Sequence, residues 1–344
     1  MKRFIINVFL FVLPFSILII ELILPINYFT YRPWEALLYS SKTGIAFPFY
    51  PNQHLKMNAV GDLAHHTKYS VLKKEYWITD ELGYRNNTFI KKPKILLIGD
   101  SFITGTGLTQ DSTITNILMN KLNIDVYNLA PSNFNDFISL LNNKKIEKPK
   151  LVIFSMVERN IPDPINIQSR EKIIIQNGSK ISILKDKLLR MYSIKFLKAR
   201  INKSTGSGIK GEVDPTMFFF KGKNQEYHQN KIKEISKTIF SYKKFCDSLG
   251  MNFIFLPLPN KETVYFDKVP LSNKPDFINR LNFILEKKGV TTVNTIELFG
   301  NKLKNKNLLL YHLDDTHWNS NGVKITADEL IRILRSKKHN RFKL

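Results

Sequence analysis

The sequence predicts an α/β fold: three layers, α/β/α, around a central and mostly parallel five-stranded sheet, preceded by one transmembrane helix. Three observations predict it. From Pro93 onward, short apolar runs alternate with longer stretches of helical spacing. The runs are apolar at successive rather than alternate positions, as strands covered on both faces must be. The chain also opens with an uncharged apolar run, Phe4–Ile20, which resumes after Glu21 as far as Leu24. That is about the 20 residues a bilayer-crossing helix needs.

The elements follow in order. Met1-Lys2-Arg3 ahead of the apolar run favours an N-terminus on the inside, and Tyr28, Tyr31 and Trp34 would form an aromatic belt on the far side. A cleaved signal peptide is the rival reading. No small-x-small cleavage site follows, and the run is long, so residues 1–26 read as a retained anchor. Residues 27–90 are a mixed lead-in segment packed on the domain, in which Tyr76–Arg85 reads as strand, turn and strand.

The main domain spans 91–336. Its strands are Ile95–Ile98, Asp125–Leu129, Leu151–Met156, Asn252–Leu256 and Val290–Val293. Helical spacing covers Ser112–Leu122, Phe134–Leu141, Gln229–Leu249, Phe277–Lys288 and Gly322–Leu334. An insertion at about 162–224 breaks the βαβ pattern, with a flexible stretch Ser204–Gly208 followed by Met217–Phe220. It reads either as a substrate-binding cap or as a helical excursion with a loose loop. Residues 337–344 read as a basic frayed tail.

The formal net charge is +23, with 52 Lys and Arg against 29 Asp and Glu. Lysine dominates and is spread along the chain, and no basic stripe interleaved with aromatics appears, which argues against nucleic acid as a partner. A basic ectodomain near anionic lipid or acidic glycan fits the same charge. Cys246 is the only cysteine, so an internal disulfide and a cysteine metal site are both excluded. No metal and no cofactor is expected.

The chemistry sits at opposite ends of the domain. Ile95–Ile98 stops on Gly99-Asp100 and presents Ser101; far downstream, Asp314-Asp315-Thr316-His317-Trp318-Asn319 supplies carboxylate and imidazole at one place. A serine hydroxyl is a poor nucleophile until a base lies within hydrogen-bond reach, and the base needs an orienting carboxylate. His317 has two candidates, Asp315 and Asp314.

These blocks resemble the SGNH (GDSL-like) hydrolase superfamily over roughly residues 75–336. Its Gly-Asp-Ser block matches Gly99-Asp100-Ser101, its last block, Asp then His before the final helix, matches Asp315 or Asp314 with His317, and Gly83-Tyr84-Arg85 is similar to its Gly-Phe-Arg lead-in. Asn128–Asn133 sits where the family usually carries glycines, replaced here by Ala130 and Asn133. Glu158-Arg159-Asn160, Pro259–Tyr265 and Asp315-Thr316-His317-Trp318 are similar to blocks of the alginate O-acetyltransferase-like branch, in the same cyclic order but starting from the serine.

The resemblance implies a flavodoxin-like sheet with Ser101 as nucleophile, His317 as base and Asp315, or failing it Asp314, as orienter. It implies oxyanion or substrate contacts from Ser132, Asn133, Arg159 and Asn160. It implies O-acetyl transfer to, or removal from, a cell-envelope or exported polysaccharide, on the periplasmic side of a bacterial inner membrane. The transferase version implies a polytopic membrane acyltransferase as acetyl donor. Two other readings are a lipase- or thioesterase-like hydrolase and a catalytically degenerate, glycan-binding subunit.

Overall fold

Every apolar run read as a strand enters one sheet. The computed structural model describes residues 1–38, 48–65, 67–161, 166–167, 184, 188–201, 208–220, 228–269, 274–304 and 308–336. Most of the expected insertion, including nearly all of Ser204–Gly208, and the basic tail from residue 337 lie outside these residues.

The first helix, α1 (Lys2–Ile23), is long and apolar enough to cross a membrane and leaves most of its side chains exposed. A short helix α2 (Pro33–Leu37) follows. Strands β1 (His54–Ala59) and β2 (Lys73–Ile78) then form an antiparallel pair. The main sheet comprises β3 (Ile95–Ile98), β4 (Val126–Leu129), β5 (Leu151–Val157), β8 (Asn252–Leu258) and β9 (Thr291–Thr292), in the order β4-β3-β5-β8-β9, with every neighbouring pair parallel. Between β5 and β8 come helix α6 (Tyr192–Ile201) and a two-stranded antiparallel pair, β6 (Gly208–Lys210) and β7 (Phe218–Phe220).

The helices cover both faces of the sheet. Ile95 and Leu97 pack in one core with Ile114 and Leu118 of α4 (Ile114–Leu122), Phe299 of α10 (Thr295–Leu303) and Val323 and Leu330 of α11 (Ser320–Arg335). Leu96 and Ile98 point to the other core, with Phe134 and Phe137 of α5 (Phe134–Asn142), Ile235 and Ile239 of α7 (Gln229–Ser248) and Leu281 and Leu285 of α9 (Phe277–Lys287). The period-two alternation of a strand places successive apolar residues in two cores. For that reason β3 is apolar at every position.

Two expectations need correction. Tyr76–Arg85 is not a strand-turn-strand. The strand ends at Ile78, and its partner is His54–Ala59. Beyond it, the Asp80 carboxylate accepts from Leu82 N–H and Tyr84 N–H at 2.9 and 3.0 Å, and Gly83 has φ +76°. This side chain-backbone turn outcompetes a second strand. The turn delivers the buried Arg85 guanidinium to the carbonyls of Tyr76, Thr104, Gly105 and Leu108 and over the Trp77 ring at 4.0 Å. The fifth strand is also shorter than Val290–Val293, with only Thr291 and Thr292 in the ladder.

The strand order places the winding reversal at β3: the chain goes first to β4 on one side and then to β5 on the other. A crevice opens at the carboxyl ends of the strands at such a point. Ser101 lies three residues past the end of β3.

Candidate active site

The turn out of β3 depends on one glycine. A Cβ on Gly99 would lie 2.6 Å from Ile103 Cγ1 and 3.0 Å from Ser155 O. Without a side chain there, the chain passes at once into the short helix α3 (Ser101–Thr104), with Asp100 as its cap. Asp100 Oδ1 accepts from Phe102 N–H at 3.0 Å, and its Oδ2 accepts from Val157 N–H at 2.9 Å and Asn160 Nδ2 at 3.2 Å. One carboxylate thus ties the nucleophile turn to the end of β5. Ser101 is the first residue of α3, so its N–H has no partner within the helix.

The segment before α11 brings the base. His317 Nε2 lies 2.8 Å from Ser101 Oγ, and His317 Nδ1 lies 2.6 Å from Asp315 Oδ1. Asp315 Oδ1 also accepts from the His317 backbone N–H at 3.0 Å. Burial pushes the Asp315 carboxyl up, but the adjacent imidazole outweighs it and holds the group well below the usual carboxylate range. An ionised carboxylate only accepts, so the proton on His317 sits at Nδ1 and Nε2 is free to accept from the serine hydroxyl. The Phe102 ring packs on the imidazole at 4.8 Å, and Trp318 Nε1 donates to Phe102 O at 3.2 Å.

Asp314, the second candidate for the orienting carboxylate, does another job. Its side chain is buried, with Oδ1 2.7 Å from Lys73 Nζ and Oδ2 accepting from Gly61 N–H and Val71 N–H, each at 2.9 Å. Its backbone carbonyl accepts from Leu63 N–H at 3.1 Å. Consecutive residues on this loop point in opposite directions, so the two aspartates cannot share one role.

Four groups hold this loop, and of these only Lys261, within the Pro259–Tyr265 block, stands out in the sequence; Gly61, Asp62 and Lys73 do not. Asp62 accepts from Thr316 N–H and Thr316 Oγ1, each at 2.8 Å. Burial and the nearby Asp315 push the Asp62 carboxyl up. A Cβ on Gly61 would fall 2.0 Å from Asp314 O, so the two backbones touch there. On the other side, the buried Lys261 Nζ, from the short helix α8 (Lys261–Val264), donates to the carbonyls of His312, Leu313 and Asp315 at 2.5, 2.9 and 3.2 Å. Burial pulls that ammonium down to about 8, opposed by Glu262, Asp315 and Asp314. The three carbonyl acceptors match the three N–H donors of an ammonium. Nothing in the local sequence marks Gly61, Asp62 or Lys73, because their partners lie some 240 to 254 residues away.

The expected oxyanion residues divide. Ser132 N–H is spent on Gly99 O at 2.9 Å, and Asn133 N–H on Asp136 Oδ2 at 3.1 Å. Asn133 Oδ1 caps α5 by accepting from Asn135 N–H and Asp136 N–H. The expected oxyanion contacts of Ser132 and Asn133 therefore cannot come from their backbone N–H groups: Gly99 O takes the first and the capping box takes the second. Asn160 contributes through Asp100. The Arg159 guanidinium lies over the rings of Phe102 at 5.5 Å and Phe220 at 6.0 Å and reaches Asn260 Oδ1 at 3.4 Å. Its neighbour Glu158 grips the same segment, with Oε2 accepting from Asn260 N–H at 2.9 Å and Thr263 Oγ1 at 2.7 Å.

A family model described as SGNH hydrolase-like domain, acetyltransferase AlgX, matches residues 217–343. This C-terminal part of the chain is thus similar to an SGNH hydrolase-like domain. The matched segment holds Lys261, Asp315 and His317, while Ser101 precedes it.

Among solved structures, the chain is similar to a catalytic mutant of an acetylxylan esterase from Geobacillus stearothermophilus, with 16% identity, 74% of this chain and 96% of that chain covered, and a TM-score of 0.37. It is also similar to a G-D-S-L family protein from Desulfitobacterium hafniense DCB-2, with 14% identity, coverage of 70% and 99%, and a TM-score of 0.36. No curated protein sequence matches the chain.

Proposed function

We propose that the protein is a membrane-anchored serine O-acetyltransferase or O-acetylesterase that acts on a cell-envelope or exported polysaccharide outside the cytoplasm. The observation that carries the chemistry is the continuous hydrogen-bonded line Asp315–His317–Ser101, with contacts of 2.6 and 2.8 Å. Ser101 Oγ attacks the acetyl carbonyl while His317 Nε2 takes its proton. Asp315 fixes the tautomer and stabilises the imidazolium that forms. The unpaired Ser101 N–H at the start of α3 faces the developing oxyanion, and the Arg159 guanidinium beside Phe102 adds positive charge. His317 then returns the proton to the leaving oxygen. The acetyl-serine is resolved by water in an esterase, or by a sugar hydroxyl deprotonated by the same His317 in a transferase.

The acetyltransferase description of the matched family supports acetyl transfer, the blocks similar to the alginate O-acetyltransferase-like branch support carbohydrate as the acceptor class, and the apolar α1 supports attachment to a membrane. The transferase reading requires acetyl delivered from a polytopic membrane partner. The test is turnover of a chromogenic acetyl ester by the full chain, with and without oligosaccharide acceptors, beside Ser101→Ala. Acceptor-stimulated turnover that yields acetylated sugar selects transferase, and acetate release alone selects esterase. Ester turnover that persists in Ser101→Ala would refute the proposed mechanism.

A further inference from the structure

α1 buries one residue, and that residue is its one acidic side chain. Glu21 is fully buried, whereas the apolar side chains around it are exposed. A carboxylate at the end of a membrane-spanning run is costly, and the C-terminal end of its own helix dipole repels it. The structure answers both costs with a second helix. Tyr192 N–H and Ser193 N–H, the first two donors of α6, bond Glu21 Oε1 and Oε2 at 2.9 and 2.8 Å. Two groups that a helix start leaves unpaired thus meet a negative charge at the positive end of a dipole. Phe196 fastens the same helix further along, stacked on Tyr31 at 5.9 Å and edge-on to Phe29 at 6.2 Å.

The other side of α6 is apolar and open. Ile194, Leu197 and Ile201 are 43%, 51% and 77% exposed and fall on one helical stripe, and Leu189 just before the helix is 66% exposed. The exposed Lys198 flanks the stripe, placed so that its stem can run along apolar material while the ammonium stays in water. Tyr28, in the turn after α1, is 63% exposed.

Geometry says what covers this face. The 22 residues of α1 rise about 33 Å at about 1.5 Å per residue, against a hydrocarbon thickness of about 30 Å. If α1 spans the bilayer from Lys2, Glu21 stands at the far boundary, and α6, pinned to Glu21, begins at that level.

We propose that α6 is an interfacial helix lying on the outer surface of the membrane that α1 crosses, with Ile194, Leu197 and Ile201 seated at the headgroup-acyl boundary. This rests on the anchored reading given above. Glu21 is the strut that couples the two helices. The catalytic domain is then held to the membrane at two points rather than swinging on a tether, and α1 is a permanent part of the protein, because its removal would strip the cap from α6.

The test uses the full chain with Cys246→Ala and single cysteines at Val12, Lys195 or Leu197, each carrying an environment-sensitive fluorophore. The protein is reconstituted into vesicles of phosphatidylethanolamine and phosphatidylglycerol with lipids spin-labelled at shallow or deep acyl positions. The expected result is deep quenching at Val12, shallow quenching at Leu197 severalfold stronger than at Lys195, and loss of that difference on Glu21→Ala. Quenching at Val12 with Leu197 no more quenched than Lys195 would overturn the interfacial helix while leaving the anchor standing. No quenching at Val12 would overturn both. A Leu197 signal unchanged by Glu21→Ala would overturn the strut.

Discussion

Adjacent aspartates with opposite duties make a sharp test of the site. Asp315→Asn keeps the shape of the side chain but removes the charge that holds the Nδ1 proton of His317. The amide can present N–H instead of oxygen to Nδ1, which favours the wrong tautomer and leaves Nε2 unable to accept from Ser101. The expected loss in kcat is on the order of 10⁴, or about 5 kcal/mol of transition-state stabilisation at about 1.4 kcal/mol per tenfold. Asp314→Asn breaks the 2.7 Å pair with Lys73, whose side chain is only 10% exposed. An almost buried ammonium is left without its partner, at a cost near the lower end of the range for such pairs, about 3 kcal/mol. The remaining Asn oxygen can still accept from Gly61 and Val71. Ester turnover should be measured at saturating substrate and divided by the folded fraction from urea unfolding. Asp315→Asn should be stable and nearly inactive, and Asp314→Asn less stable but within about tenfold of wild-type kcat per folded molecule. The reverse pattern, with Asp314→Asn inactive while folded, would refute the assignment.

Three further outcomes follow from the same contacts. Lys261→Met leaves three loop carbonyls without their buried donor, so kcat per folded molecule should fall by about 10- to 100-fold through displacement of His317; an unchanged kcat would show that the loop holds without the clamp. Gly61→Ala places a methyl 2.0 Å from Asp314 O, so its urea midpoint should drop, and a neutral effect would show that the lead-in segment can shift away at no cost. Burial pushes Glu75 up to about 7 from 4.5, against the pull of Arg85 and the Trp77 bond, so between about pH 4.5 and 7 the folded state binds more protons than the unfolded chain. Stability should therefore fall as pH rises through that window, by up to about 1.4 kcal/mol per unit; Glu75→Gln should flatten the slope, and an equally steep slope in that variant would place its origin elsewhere.

Ser101, Asp315 and His317 were visible in the sequence because each carries a local signal. A strand that ends on Gly99-Asp100-Ser101 declares a tight turn, and an imidazole two residues from a carboxylate declares a possible pair. The strands of the sheet were visible for a related reason: burial on both faces demands unbroken apolar runs, as in Ile95–Ile98 and Leu151–Val157. The strand His54–Ala59 carries no such run, because it alternates exposed and half-buried positions beside a single partner. The N–H groups of the Ser132–Asn133 turn are spent, one on the distant Gly99 O and one on a local capping box, and nothing in the residue types distinguishes a spent N–H from a free one.

The sequence by itself determined the layered α/β architecture, the apolar first helix, and the serine, imidazole and carboxylate that face one another. These follow from periodicity and from chemistry carried within a few residues. Only the tertiary structure decided which of two neighbouring aspartates meets the imidazole, what Lys261, Asp62 and Lys73 grip, and where Glu21 finds its partner. Each of those depends on a backbone carbonyl, amide or side chain brought close from a distant part of the chain, often more than 150 residues away. A buried charge must find its counterpart in space, and spacing along the chain does not encode which one it finds.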